Sequence, residues 1–139
     1  MLRTILRRLI QPVLWLGYRF YNRRDHVVHM DGLALHLAPG VFHPRWFLTT
    51  RTIAQFALGT IQEKDRVLEL GAGNGFLALS CSRAGASVMA SDINPAAVAS
   101  IQRSALENKL QLEVIHSDLF DSIPQQVFDY IFINPPFFP

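Results

Sequence analysis

The chain has 139 residues, half of them hydrophobic, enough for one packed domain and too few for several. Its single cysteine, Cys81, excludes an internal disulfide and fits a reducing compartment better than secretion. The formal net charge of +2 conceals an asymmetry: Arg3, Arg7, Arg8, Arg19, Arg23 and Arg24 precede the first acid, Asp25, and taking these six charges from +2 leaves −4 for the rest.

Residues 1–24 therefore form a basic arm. Leu2, Ile5, Leu6, Leu9, Val13 and Leu16 recur at helical spacing with Arg3 and Arg7 off that stripe, which predicts an amphipathic helix interrupted near Pro12. The arm's longest uncharged stretch, residues 9–18, falls well short of the roughly 18 apolar residues of a membrane span, and no convincing small-residue cleavage site follows Arg7 and Arg8. Such an arm packs on its own domain or meets a peripheral membrane surface, nucleic acid or an acidic partner.

Residues 25–60 form a lead-in segment. Short apolar pieces around Asp31-Gly32 predict a hairpin across residues 27–37, Pro39-Gly40 breaks the chain, and a helix follows Pro44 with Ile53, Phe56 and Ala57 on one face and Gly59 at its end. From residue 61 to 139 the pattern is regular. Residues 66–70 read as an apolar strand, residues 71–75 as a glycine-rich turn, and residues 76–84 as a helix ending at Gly85. A second strand covers residues 87–91, Asn94 caps a helix whose first residue is Pro95 and which runs to about Asn108, and Leu112, Val114 and Ile115 mark a third strand. Residues 130–133 make a fourth, whose unbroken apolarity predicts burial on both faces. The alternation implies an α/β fold with a mostly parallel sheet and right-handed crossovers.

The turn Glu69-Leu70-Gly71-Ala72-Gly73-Asn74-Gly75 directly follows a strand, so its glycines can take positive φ and admit a ligand close to the backbone. Asp92 ends the second strand about 20 residues on, where a carboxylate accepts from both hydroxyls of a ribose. Together they imply a nucleoside-containing cofactor. Nicotinamide enzymes use a similar strand, turn and acid, but their fingerprint wants Gly or Ala where, counted from Gly71, Phe76 stands; the shifted frame from Gly73 fits the pattern yet starts beyond the usual tight turn. At the fourth strand's end, Asn134-Pro135-Pro136-Phe137 offers carbonyls and few donors, because proline has no N–H. Pro135 pushes Asn134 toward an extended conformation, in which its side-chain oxygen and a neighbouring carbonyl converge to receive an NH2 group, while Phe137 lies against a flat target or faces a cation. His26, His29, His36, His43 and His116 show no metal-ligand spacing, and no metal is expected.

With these four segments in this order, the sequence resembles the class I S-adenosylmethionine-dependent methyltransferases. Residues 69–75 are similar to their cofactor loop, Ser91-Asp92-Ile93-Asn94-Pro95 to their acidic ribose loop, Ser117-Asp118-Leu119 to their adenine-contacting turn, and residues 134–137 to the motif of the amino-methylating branches. The branch it resembles is the small-domain family that includes the release-factor glutamine methyltransferases and several adenine and guanine amine methyltransferases; Val41-Phe42-His43-Pro44 with Thr49-Thr50 also resembles the segment before the cofactor loop in the glutamine-type enzymes. The resemblance implies a Rossmann-like fold binding S-adenosylmethionine. Glu69, Gly71, Gly73 and Gly75 are carried to the cofactor loop, with Glu69 and Gly71 at the methionine end, Asp92 to the ribose, Asp118 and the Leu119 backbone to the adenine, and Asn134, Pro135 and Phe137 to catalysis.

The implied activity is transfer of a methyl group to a planar nitrogen. A protein glutamine amide is favoured, a translation factor among the candidates, because the region outside the arm is net acidic; an adenine or guanine amine of nucleic acid is the alternative. Family members continue for three more strands, so residues 61–139 are expected to be a partial domain whose fourth strand lacks a neighbour. A catalytically silent module docked through the arginine arm and a nicotinamide-dependent oxidoreductase also stay open. The expected location is the cytoplasm, with peripheral membrane association through the arm.

Overall fold

The computed structural model describes residues 24–41 and 48–135. The arginine arm, apart from Arg24, Phe42, His43 and Pro44 of the segment resembling the glutamine-type lead-in, and Phe137 lie outside the described residues. The lead-in folds as a hairpin, β1 (His26–Met30) and β2 (Leu33–Leu37), followed by helix α1 (Leu48–Thr60). The main domain runs β3 (Arg66–Leu70), α2 (Phe76–Arg83), β4 (Ser87–Asp92), α3 (Pro95–Glu107), β5 (Glu113–His116) and β6 (Tyr130–Ile133). The last four strands form one parallel sheet in the order β5-β4-β3-β6.

That order positions the site. From β3 the crossovers step through β4 to β5 in one direction, then the chain returns to the other side of β3 for β6. The strand order thus reverses between β3 and β6, and ligands of open α/β sheets bind beyond the carboxyl ends of the strands at such a reversal.

Two apolar clusters hold the sheet. Val67, Val88 and Ala90 join the hairpin residues Leu33, Leu35 and Leu37, Ala57 of α1, Leu79 of α2 and Ile101 of α3 in one core; on the opposite sheet face Leu68, Leu70 and Met89 pack with Ile115, Ile123 and Phe128. The expected burial of both faces of β6 is not observed. Tyr130 and Phe132 pack against the larger core, whereas Ile131 and Ile133 are about half exposed, because β6 is an edge strand among the described residues and its second face carries no covering element there. Phe56 also departs from expectation: Ala54 and Ala57 carry the buried face of α1, Phe56 is exposed, and the helix passes Gly59 to end at Thr60.

The hairpin is attached to the domain by hydrogen bonds as well as by apolar contact. Ser100, Ser104 and Asn108 follow one another at i, i+4 spacing along one face of α3 and its cap, and their oxygens accept from the backbone N–H groups of Ala38 (3.0 Å), His36 (2.8 Å) and Ala34 (3.0 Å). Asn108 Nδ2 returns a bond to the Ala34 carbonyl at 2.7 Å, and His36 pairs with Glu107 beside it. A strand edge that would otherwise offer free donors is thereby covered by a helix. Arg51 and Arg83 hold the hairpin turn at Asp31, by its carboxylate and its carbonyl respectively. Ser104→Ala is expected to leave the partly buried His36 N–H unpaired and to lower the unfolding free energy by about 1 kcal/mol in urea titration.

Candidate cofactor site

The turn after β3 is built by its own backbone. Gly71, Gly73 and Gly75 have φ of 65°, 55° and 73°, values that L side chains rarely adopt. Gly75 is the N-cap of α2 and carries no side chain to satisfy the helix's first donors. Neighbours do so: Asn74 Oδ1 accepts from Phe76 N at 3.0 Å, and Glu69 Oε2 accepts from Ala78 N at 2.8 Å. Alternation along β3 turns Glu69 to the same face as Val67, under α2, where it is 5% exposed. Burial pushes its carboxyl up to about 8, against the lowering effect of the Ala78 N–H and reinforced by the charge of Asp92. The same burial, with Glu69 nearby, pushes the Cys81 thiol up to about 12, so Cys81 is a packed, unreactive side chain.

Asp92 stands at the end of β4 next to this turn. Its Oδ2 accepts from Gly73 N at 2.7 Å and its Oδ1 from Asn94 N at 2.8 Å. Each carboxylate oxygen keeps a second lone pair, so the carboxylate is oriented by two backbone donors and still has two acceptor positions for vicinal hydroxyls. Asn94, as expected from the sequence, caps α3 by accepting from Ala96 N, with Pro95 as the first helical residue.

The turn after β5 is tied to the same place. Ser117 N donates to the Asp92 carbonyl at 3.1 Å, and the buried Ser117 hydroxyl donates to Leu119 O and accepts from Ser122 N. Asp118 is exposed and Leu119 takes a left-handed φ of 45°. Ile93 and Leu119, in the turns that follow β4 and β5, are 61% and 57% exposed and leave apolar surface open at this end of the sheet. Asn74, Ile93 and Ser117 lie inside the segments matched to the cofactor loop, the ribose loop and the adenine-contacting turn, but were given no role of their own there.

Asn134 and Pro135 follow β6. The pairing of Leu70 with Ile133 puts Asn134 one residue beyond that pair, level with Gly71 across the strand reversal. A Cβ built on Gly71 meets nothing within 4 Å, so the space over the turn is open. The architecture therefore brings Gly71, Gly73, Asp92, Asp118, Leu119 and Asn134 to one end of the sheet, with Glu69 beneath it. Among the described residues no three His, Cys, Asp or Glu side chains gather as metal ligands, and no helix is long and apolar enough to cross a membrane.

Residues 33–139 match the family model of the methyltransferase small domain. A Methanocaldococcus jannaschii protein named as a protein N5-glutamine methyltransferase is 32% identical over 81% of the chain, and a Haemophilus influenzae ribosomal RNA small subunit methyltransferase C is 36% identical over 85%. The chain spans 55% and 36% of the lengths of these two relatives. Among solved structures, the T. thermophilus 16S rRNA N2 methyltransferase, in complex with AdoMet and guanosine, superposes with a TM-score of 0.71 and 31% identity, covering 83% of this chain and 33% of that one. The glycine turn, the strand-end acid and the strand reversal thus agree with the family match: the chain belongs to the methyltransferase small domain family.

Proposed function

We propose that the chain forms the cofactor-binding part of an S-adenosylmethionine-dependent N-methyltransferase that acts on a planar nitrogen, with a protein glutamine amide as the favoured acceptor. The observation that carries the reading is the Asp92 carboxylate, oriented by the Gly73 and Asn94 N–H groups beside an open glycine turn and opposite Asn134. Bound S-adenosylmethionine supplies an electrophilic methyl group on a cationic sulfur. Asp92 would accept from the ribose hydroxyls, Ile93 and Leu119 would offer apolar surface to the adenine with Asp118 nearby, and Gly71 would allow the methionine end to approach the backbone. Glu69 acts on that end indirectly, by holding α2 against the turn. Asn134 would accept from the amide NH2, with Pro135 keeping it extended; the role against the flat face of the amide falls to Phe137 from the sequence motif alone. An amide is a poor nucleophile because its lone pair is delocalised; two acceptors that hold both hydrogens favour the form whose lone pair faces the methyl, and positioning supplies the rate.

Net negative charge outside the arm favours a protein acceptor, as does the M. jannaschii relative. A nucleic-acid amine is the second reading, favoured by the rRNA methyltransferases in both comparisons. Isothermal titration with S-adenosylhomocysteine is expected to show saturable binding, weakened at least 30-fold in Asp92→Ala, a loss of about 2 kcal/mol or more. Folded protein that binds no S-adenosylhomocysteine sinks the proposal. Transfer of a labelled methyl group to a glutamine-containing peptide, and not to rRNA, decides between the acceptors.

A further inference from the structure

The loop that presents Asp92 is held by main-chain partners at almost every carbonyl. Ser91 O accepts from Ala72 N, Asp92 O from Ser117 N, and Asn94 O from Ala97 N and Val98 N. The carbonyl of Ile93 is different. It accepts from a side chain of another element, His116 Nε2 at 2.8 Å, and His116 is the register partner of Asp92 at the end of β5. A carbonyl only accepts, so Nε2 carries the hydrogen.

The Ile93 carbonyl and the Asn94 N–H belong to one peptide unit, which is planar, with C=O and N–H pointing in opposite directions. One end of this plate is held by His116. The other end donates to Asp92 Oδ1 at 2.8 Å. Rotating the plate breaks both bonds together, so a grip on the carbonyl is a grip on one of the two donors that orient the Asp92 carboxylate. We infer that His116 is a positioning residue for the nucleoside half of the site: through the Ile93-Asn94 peptide it fixes the carboxylate that receives the ribose hydroxyls. Without the imidazole, the exposed carbonyl exchanges its partner for water, the plate turns more freely, and Asp92 keeps only the Gly73 donor in fixed geometry. This inference rests on the proposed cofactor reading.

The test compares S-adenosylhomocysteine with its 2′,3′-dideoxy analogue, by titration of the full chain and of His116→Ala and His116→Gln. His116→Ala is expected to weaken S-adenosylhomocysteine binding about 5- to 30-fold while the dideoxy analogue, which has no hydroxyls for Asp92, changes less than 2-fold. His116→Gln, whose amide N–H can reach the same carbonyl, is expected to recover wild-type affinity to within about 3-fold. The unfolding midpoint of the ligand-free chain should hardly move, since the bond is exposed. Equal loss for both ligands would place His116 in direct contact with the base or in general stability and overturn the inference, as would unchanged affinity in His116→Ala. Failure of the folded wild-type chain to bind S-adenosylhomocysteine would instead overturn the cofactor reading.

Discussion

Stability is expected to fall as pH rises from about 5 to about 8, and Glu69→Gln is expected to remove most of that slope. Glu69 is buried under α2 and its carboxyl is pushed from 4.5 to about 8, chiefly by loss of solvation. In the unfolded chain the group ionises near its ordinary value, so between the two values the unfolded state releases a proton that the folded state retains. The folded pKa is the higher one; the stabilising contribution is therefore complete below about 4.5 and is lost progressively until the folded carboxyl itself ionises near 8. At 1.36 kcal/mol per pH unit, the loss amounts to about 4–5 kcal/mol across that window. A neutral amide keeps an oxygen for the Ala78 N–H and has no proton to release, so urea unfolding of Glu69→Gln should give nearly equal free energies at pH 5 and pH 8, exceeding the wild type at the higher pH. A wild-type chain with the same stability at both values would show that Glu69 is ionised in the fold and paired in some other way.

The distinction between legible and hidden features follows sequence separation. The strand, turn and helix from Arg66 to Arg83, and the Asn94-Pro95 start of α3, could be read because capping, positive φ and periodicity act within a few residues. The half-exposure of Ile131 and Ile133 decides between two readings of one stretch: four consecutive apolar residues predict burial on both faces, the expected partial domain leaves that strand without a neighbour, and only sheet order separates the two. The attachment of Ser100, Ser104 and Asn108 to the hairpin spans more than 60 residues; in the sequence they are three ordinary polar positions on a helix. The place of Glu69 was partly legible. The resemblance carries it to the methionine end of the cofactor, whereas its bond to the Ala78 N–H under α2, nine residues on, has no sequence signal of its own. The grip of His116 on Ile93 depends on β4 and β5 being neighbours in register, which no local pattern states.

Gly75→Ala and Gly71→Ala are expected to fail in different ways, although both glycines belong to the same turn and both have positive φ. A left-handed conformation costs a non-glycine residue about 1–2 kcal/mol, and this applies to either substitution. At Gly75 the new Cβ would also lie 2.7 Å from Ile101 Cγ1 and 3.1 Å from Cγ2. Ile101 is fully buried in the main core and has no room to yield, so overpacking adds about 1–3 kcal/mol and the total reaches about 2–5 kcal/mol, a large part of a domain's stability. Gly71 has open space where its Cβ would go, so the ligand-free chain should lose only the conformational part. That same space is where the cofactor's methionine end approaches the backbone in the proposed reading, and a methyl group there should weaken S-adenosylhomocysteine binding at least 10-fold. Thermal unfolding without ligand should therefore rank the chains wild type, then Gly71→Ala, then Gly75→Ala. Among chains that remain folded, titration should show a loss of affinity for Gly71→Ala greater than its loss of stability accounts for. Equal affinity in wild type and Gly71→Ala would mean that the ligand does not pass over this turn, and would move the methionine end elsewhere along the carboxyl edge of the sheet.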